Sequence, residues 1–289
     1  MIPGDAITAR LGTSTALSVE QLARMRAYFG LDQPLYAQYA TWIGSVLQGD
    51  FGFSIRSGQP VTSEIATRLP VTLELAIAAA VVALVVGTPL GLLSSLRPNS
   101  PLDLLGRGVG LIGLALPNFW LGTLAILLFA RFLHWMPNTG GYVDFLADPA
   151  ANLRFLIFPA LTLGFGMAAV VMRTTRSAML DVLGADYIRT AHAKGLAPAG
   201  VVEHHALKNA LIVVVTILGI QVGYLLGGAV VVEEVFSLPG IGRMLLNAIN
   251  QRDYALVQGG VLVIAALFVA ANTLVDVVYG FLDPRIRYS

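Results

Sequence analysis

The uncharged run NALIVVVTILGIQVGYLLGGAVVV, residues 209–232, decides the fold class of this chain. Its 24 residues exceed the roughly 20 residues that an α-helix needs to cross the hydrocarbon core of a bilayer. Four further uncharged runs of 18 to 23 residues occupy positions 75–96, 108–130, 155–172 and 254–275. The sequence therefore predicts an all-α fold, a polytopic bundle of transmembrane helices with five visible spans.

The composition supports a membrane protein and excludes several other classes. Of the 289 residues 56% are hydrophobic and 12% are charged, against about 25% charged residues in soluble domains. The mean hydropathy is +0.75. A net charge of +1 and the lack of long basic runs argue against a nucleic-acid partner. There is no cysteine, which excludes disulfides and thiolate metal sites.

The distribution of Lys and Arg between the loops predicts the orientation of the bundle. Nine of these residues fall on one side of the predicted spans and four on the other. Because cytoplasmic loops carry the excess of basic residues, the first side is expected in the cytosol. This places residues 1–70 outside and the tail, residues 283–289, in the cytosol. The transmembrane domain expected between them, residues 71–282, includes a cytoplasmic loop, residues 174–208.

Residues 1–70 are predicted to form an extracytoplasmic helical segment. Ser18 and Gln21 have the spacing of a capping box, and a second helix is expected from Pro34 to the turn at residues 49–52. No stretch before residue 70 is long and apolar enough to cross a membrane. We therefore expect a sixth, N-terminal span that precedes Met1 and is missing from this sequence.

The polar stretch ADYIRTAHAKGL, residues 185–196, is predicted to form a short helix between two spans. Asp186 is a candidate N-cap, and Gly195 is a residue that can end a helix in the left-handed conformation. Its surface combines the charges of Arg189 and Lys194 with small groups such as Ala191. This pattern favours a protein-contact surface, and a solvated connecting helix remains the alternative.

Several catalytic and metal-dependent functions lack support in the sequence. The phosphate-binding pattern G-x-x-x-x-G-K-[ST] is absent, so ATP hydrolysis by that route is not expected of this chain. His204 and His205 are adjacent and point about 100° apart on a helix, which is a poor geometry for a metal site. The hydrolase pattern G-x-S-x-G is absent as well.

Two ionisable residues fall near the ends of the predicted spans. Glu74 is expected at the outer interface, and Asp276 is expected to pair near the cytosolic end with an arginine such as Arg107 or Arg173. A proton-coupled transporter would be expected to carry carboxylates nearer the midplane of the membrane. The predicted spans contain none there.

The spans leave a polar but uncharged pathway as the remaining route for a solute. The candidate lining residues are Asn118, Thr123, Thr162, Thr216, Gln221 and Tyr224. The same side chains can instead form hydrogen bonds between helices, and the sequence leaves both interpretations open.

Residues 186–196, followed by HALKNA at residues 205–210, resemble the cytoplasmic loop of bacterial ABC-importer permeases. The resemblance is closest to the dipeptide, oligopeptide and nickel family, and within it to the first of the two permease subunits. It extends over essentially the whole chain. Further matching stretches are residues 31–36, 49–52, 68–75, 227–233, 236–242, 252–254 and 282–288. His192 and Val213 depart from the family pattern, in which Arg and Pro are common.

The resemblance implies partners and a location in the bacterial cytoplasmic (inner) membrane, surrounded by lipid. The expected partners are a second homologous permease subunit, two cytoplasmic ATPase subunits that hydrolyse ATP, and an extracytoplasmic substrate-binding protein that delivers a small peptide. No cofactor or metal is implied. The residues expected to couple to the ATPase are Asp186, Tyr187, Arg189, Thr190, Ala191, Lys194 and Gly195. Glu233 and Glu234 are expected either to meet the binding protein or to lie in a solvated loop.

Two rival functions remain open at this point. The chain can be a channel or secondary transporter that works without partners, or a membrane anchor that needs no pathway. The substrate is also open, since dipeptides, oligopeptides, glutathione and nickel chelates share this family scaffold.

Overall fold

The computed structural model describes residues 32–133 and 141–282, and these residues form a bundle of helices. The helices are α1 (Leu35–Leu47), α2 (Val61–Leu96), α3 (Pro101–Ala115), α4 (Asn118–Phe132), α5 (Pro149–Leu183), α6 (Asp186–Ala193), α7 (Pro198–Gly200, Val201–Leu207 and Lys208–Gly228), α8 (Val230–Val235), α9 (Ile241–Asn250) and α10 (Tyr254–Leu282). The predicted all-α bundle is confirmed. The helix expected at residues 18–29 and the tail at 283–289 lie outside the described residues.

Four helices of the described part are long and apolar enough to cross a membrane on their own. They are α2, α5, α7 and α10. The run at residues 108–130, which was predicted as one continuous span, is instead a pair of helices, α3 and α4, bent by 102°. The break lies at Leu116, which has an extended backbone, and Pro117. Proline lacks an N–H group and disfavours the α conformation in the residue before it, which explains the break.

The first crossing helix, α2, is longer than the uncharged run that predicted it. It begins at Val61 and continues through Pro70, so the expected boundary at residue 70 lies inside this helix. Residues Ala83–Gly87 form a π-helical segment that ends just before Pro89. The ring of Pro89 is incompatible with a regular α-helical turn before it, and the wider π turn relieves this conflict.

Helix α5 forms the centre of the bundle, and α2 packs closely along it. Leu75, Leu163 and Val171 are buried in the core between these helices. A Cβ atom on Gly91 would lie 2.5 Å from the carbonyl oxygen of Met172, and one on Gly87 would lie 2.7 Å from that of Ala168. Glycine at these two positions therefore permits direct backbone contact between α2 and α5.

The connection between α1 and α2 is hydrogen-bonded to Asp253, the residue before α10. As predicted, α1 ends at Leu47 and is followed by a turn, in which Gly49 has a φ of 83°. The Ser54 hydroxyl donates a hydrogen bond to Asp253 at 2.5 Å, and both side chains are buried. This contact ties the start of α2 to the start of α10.

Candidate functional site

The predicted coupling helix exists as α6, with a start one residue earlier than expected. Ala185 is the N-cap, and Asp186 is the first helical residue, so the predicted cap at Asp186 was wrong. An acidic residue in the first turn still favours the helix through the macrodipole. Asp186 also pairs with Arg189 at 3.3 Å, and both side chains are highly exposed.

The predicted end of the helix is confirmed. Lys194 is the C-cap, and Gly195 adopts a φ of 79°, where its N–H donates to the carbonyl of His192 at 2.9 Å. No atom lies within 4 Å of the position that a Cβ on Gly195 would take. Within this chain, glycine is thus required here by the backbone conformation and not by packing.

A small apolar cluster attaches α6 to the two long helices on either side of it. Ile188 and Ala191 of α6 are buried against Met179 of α5 and against Val201 and Ala206 of α7. Ala191 was expected on the contact surface, but it faces this cluster because it lies three residues from Ile188 on the same side of the helix. Helix α6 is therefore fixed to the ends of α5 and α7.

The rest of the surface of α6 is open, and Tyr187 lies at its edge next to α7. Tyr187 is 45% exposed, and its hydroxyl accepts a hydrogen bond of 3.4 Å from the Asn209 side chain at the start of Lys208–Gly228. Thr190 and Lys194 are exposed as well. The exposed face combines an aromatic ring with charged groups, which is the composition of many protein-contact surfaces.

At the other end of the bundle, the Glu233 side chain is fully buried. It was expected in solvent or against a binding protein, and the structure corrects this expectation. The Thr72 hydroxyl donates to Glu233 Oε1 at 2.8 Å, and the Arg243 backbone N–H donates to Oε2 at 2.9 Å. The Ile241 N–H in turn donates to the Thr72 hydroxyl at 2.9 Å. Burial raises the pKa of the Glu233 carboxyl, while these donors act in the opposite direction.

Two glycines make room for the buried Glu233 carboxylate. A Cβ on Gly240 would collide with the Glu233 carboxyl group, and one on Gly242 would lie 3.0 Å from Glu233 Oε2. The carboxylate thereby reaches the N-terminus of α9, where backbone N–H groups lack partners within the helix. Glu233 joins α2, α8 and α9.

The neighbouring Glu234 side chain is half exposed, as expected of a solvated residue. Its Oε2 atom lies 3.2 Å from Nε of Arg243. The ion pair lacks the alignment of a hydrogen bond, since this Nε atom has no hydrogen-bond partner among the described residues. Of the two acidic residues, only Glu234 is accessible to another protein.

Comparison with known proteins assigns the family. A family model described as "Binding-protein-dependent transport system inner membrane component" matches residues 87–288, which include α6 and Glu233. This chain belongs to that family. It is an integral membrane permease of the ABC-importer type.

Similar proteins cover the whole permease. The dipeptide transport system permease protein DppB of Escherichia coli K12 is 42% identical, over 100% of this chain and 91% of that protein. The di/tripeptide transport system permease protein DppB of Pseudomonas aeruginosa UCBPP-PA14 is similar to the same extent. A structure of the inward-facing MetNI methionine ABC transporter has a TM-score of 0.60 at 16% identity, over 76% of this chain and 96% of that chain. The last likeness concerns the fold alone.

Sequence reasoning missed the buried ion pair of the permease. Asp103 accepts hydrogen bonds from Nε and Nη2 of Arg176 at 2.7 and 2.9 Å, from the Ser94 hydroxyl, and from the Asn99 backbone N–H at 2.9 Å. The pair joins α2, α3 and α5. Ser100 followed three residues later by Asp103 signals the start of α3, but it does not indicate Arg176 as the partner of Asp103. Neither Arg107 nor Arg173, the arginines expected to pair with Asp276, forms an ion pair with another described residue.

Glu74 holds a second polar joint, between α2 and the segment that leads into α5. The Tyr142 hydroxyl donates to both carboxylate oxygens at 3.0 Å, and the Asn152 side chain donates to Oε2 at 2.8 Å. Burial, with the nearby Glu74 carboxylate, raises the pKa of Tyr142. Glu74 therefore has a structural role near the end of the bundle that also carries Glu233.

The predicted pathway residues do not converge on one point. Thr162 is buried beside Gly122 of α4, whereas Asn118, at the start of that helix, is exposed. Tyr224 of α7 is 65% exposed and its ring contacts Phe268. Gln221 of α7 is half-buried. Their assignment to a pathway stays a prediction.

The described residues contain no group of three or more His, Cys, Asp or Glu side chains that can hold a metal ion.

Proposed function

We propose that this permease forms half of the translocation pathway of an ATP-driven peptide importer and receives the driving force through α6. The observation that carries the proposal is the attachment of α6. Its inner face, with Ile188 and Ala191, is buried against α5 and α7, while its outer face is open to a partner. A helix of this kind transmits a displacement because it cannot move without the two long helices.

The proposed partner at α6 is a cytoplasmic ATPase. Arg189 and Lys194 are exposed and suit an acidic groove, and the half-exposed ring of Tyr187 is an anchor of the type that dominates binding energy in interfaces. ATP-driven closure of two ATPases would displace α6 and its counterpart in a second permease. The two permeases would then alternate between inward-open and outward-open states.

The proposed site for the extracytoplasmic substrate-binding protein lies at the opposite end of the bundle. There the joints at Glu233 and at Ser54–Asp253 fasten the loops to α2 and α10. Docking at these loops would therefore displace α2 and α10, which are long enough to cross the membrane. The exposed Glu234 is the candidate contact, and Glu233 has the different role of holding the loop.

Peptides are the proposed substrate class. Two relatives that are 42% identical over the whole chain carry dipeptide or di/tripeptide transport in their names. The crossing helices offer an uncharged route, which suits a solute that is delivered by another protein.

The test uses the complete complex of two permeases, two ATPases and binding protein, reconstituted in vesicles. Peptide-loaded binding protein is expected to stimulate ATP hydrolysis and peptide uptake. The change Gly195→Arg is expected to abolish uptake, because a side chain is strained at a φ of 79° and would occupy the docking surface. Gly195→Asn is the matched variant, since asparagine tolerates this conformation best, and it is expected to retain uptake.

Two results would contradict the proposal. ATP-driven uptake that survives Gly195→Arg would exclude this mode of coupling. Solute flux through the permease without any ATPase would support the rival channel or secondary transporter.

A further inference from the structure

A groove lies between the last turns of α5 and the beginning of Lys208–Gly228 in α7. Its volume is about 390 Å³. Its lining residues are Arg173, Thr174, Ser177, Ala178, Asp181 and Val213. The volume is at the small end of the range of about 300–1,000 Å³ for ligand sites in proteins.

The floor of the groove is a stripe of polar residues on α5. Arg173, Ser177 and Asp181 recur every four residues and therefore share one face of the helix. All three are exposed. The eight residues from Arg173 to Asp181 correspond to roughly 12 Å along the helix axis. The groove thus has a positive group at one end, a hydroxyl between and a negative group at the other end.

The two charges of the groove are uncompensated within the described part of the chain. Neither Arg173 nor Asp181 forms an ion pair or a side-chain hydrogen bond with another described residue. Arg176, only three residues from Arg173, is by contrast held by Asp103. Arg173 and Asp181 are therefore available to a ligand.

The position of the groove fits the inner end of a pathway. Asp181 is two residues from the end of α5, after which α6 begins, so the groove opens at the same end of the bundle as the coupling helix. Val213 lies on the same face of α7 as Ile220 and Tyr224, which are about two and three turns further on. These three side chains are exposed, so the face continues from the groove towards the other end of the bundle.

We propose that the groove is the inner substrate site of the permease, where Arg173 binds the carboxylate and Asp181 the ammonium group of a short zwitterionic peptide. This inference rests on the proposed import of peptides and names the groups that are recognised. An extended peptide of three or four residues covers about 10–14 Å, which matches the spacing of the two charges. Ser177 and Thr174 lie between them to bind the peptide backbone.

Other occupants fit the groove less well. The phosphate of an anionic lipid would meet the Asp181 carboxylate, and an apolar group would leave both charges unpaired. A second groove of about 530 Å³, on the α3 side of Arg173, is lined by Leu104, Leu111, Leu114 and other mostly apolar residues and is the better place for acyl chains. Exposed ion pairs are weak, so the peptide site is expected to release its ligand readily.

The experiment measures peptide binding by saturation-transfer NMR on the detergent-solubilised complex, without ATP or binding protein. The probes are tetra-alanine and N-acetyl-tetra-alanine amide, which lacks both charges. Saturation is expected to reach the free peptide and not the blocked one. Arg173→Gln and Asp181→Asn are each expected to raise the dissociation constant for tetra-alanine by about two- to fivefold, as the strength of exposed ion pairs implies. Arg154→Gln, an exposed arginine roughly 28 Å away on the same helix, is expected to change nothing.

Two results would overturn the inference. One is equal saturation of the free and the blocked peptide, or of the wild-type complex and both groove variants. The other is an amount of co-purified anionic phospholipid that falls in Arg173→Gln and not in Asp181→Asn, which would assign the groove to lipid. Because binding is read without ATP, failure here is distinct from failure of the Gly195 test.

Discussion

Glu233 shows at the scale of a residue how a buried charge organises this permease. Its carboxylate accepts a hydrogen bond from Thr72 of α2 and another from the backbone of Arg243 in α9. The joint explains why two glycines precede Arg243 so closely, because Gly240 and Gly242 leave the space that the carboxylate fills. A single side chain thus fixes both the start of α9 and its position against α2.

Truncation of Glu233 is predicted to destabilise the permease. Glu233→Ala leaves the Thr72 hydroxyl and the Arg243 N–H buried without an acceptor, at about 1–3 kcal/mol for each group. The unfolding midpoint of the detergent-solubilised permease should therefore fall clearly. Glu233→Gln keeps one carbonyl oxygen and should fall less. Glu234→Gln, at the half-exposed neighbour, is the control, and an equal loss in Glu233→Ala and Glu234→Gln would refute the proposed joint.

The buried charges were beyond sequence reasoning for a physical reason. Glu233 and Thr72 are 161 residues apart in the chain, and Asp103 and Arg176 are 73 apart. Local pattern carries no information on which partner a charge will find across the bundle. Gly195 was predictable because its conformation follows from the helix that it ends, which is a local property.

At the scale of helices, the hydrophobic runs predicted which segments are helical and apolar enough to cross a membrane. Whether such a helix is straight or bent depends on its local geometry. The five uncharged runs all correspond to helices of the structure, but charge alone does not reveal a bend. Pro117 breaks one run, whereas Pro70 and Pro159 lie inside continuous helices. In a helical bundle, neighbouring helices can satisfy the backbone groups that a proline frees, and this depends on packing that a single run does not encode.

The contact between α2 and α5 gives a prediction for one glycine. In Gly91→Ala the new methyl group would lie 2.5 Å from the Met172 carbonyl oxygen and 2.6 Å from the Thr175 Cβ, so the two helices must separate. Overpacking of this kind costs about 1–3 kcal/mol, and a lower unfolding midpoint is expected.

Gly108→Ala is the matched control for that experiment. Gly108 is also helical and has no atom within 4 Å of the added methyl group. It should leave the midpoint unchanged or raise it slightly, since alanine favours the helix. Equal midpoints for the two variants would mean that α2 and α5 are less closely packed than described.

At the scale of the whole molecule, polar joints hold the two ends of the bundle and an apolar cluster holds α6. Glu233 and Glu74 fasten loops to α2 at one end, and Asp103 with Arg176 joins α2, α3 and α5 towards the other. Helix α5 takes part at both ends, through Asn152 and Arg176. It is therefore the element through which a displacement at α6 would reach the opposite loops.

Loosening the apolar cluster is predicted to separate ATP hydrolysis from transport. Ile188→Ala removes a side chain that is 2% exposed and leaves a cavity between α6 and its neighbours, at about 2–5 kcal/mol. In the reconstituted complex the number of ATP molecules hydrolysed per peptide taken up should rise. Leu161→Ala, an exposed change on α5, is the control. An unchanged ratio in Ile188→Ala would show that α6 does not act as a rigid attachment.

The π-helical segment Val201–Leu207 affects the direction in which the later side chains of α7 point. A π turn accommodates one residue more than an α turn, and each residue of an α-helix corresponds to about 100° of rotation. The segment therefore sets the direction in which everything after it points, including Val213 and Tyr224. If the same residues formed a regular α-helix instead, the face after them would be turned by about 100° from its present side. The π-helical segment thus determines how the rest of α7 is rotated about its own axis.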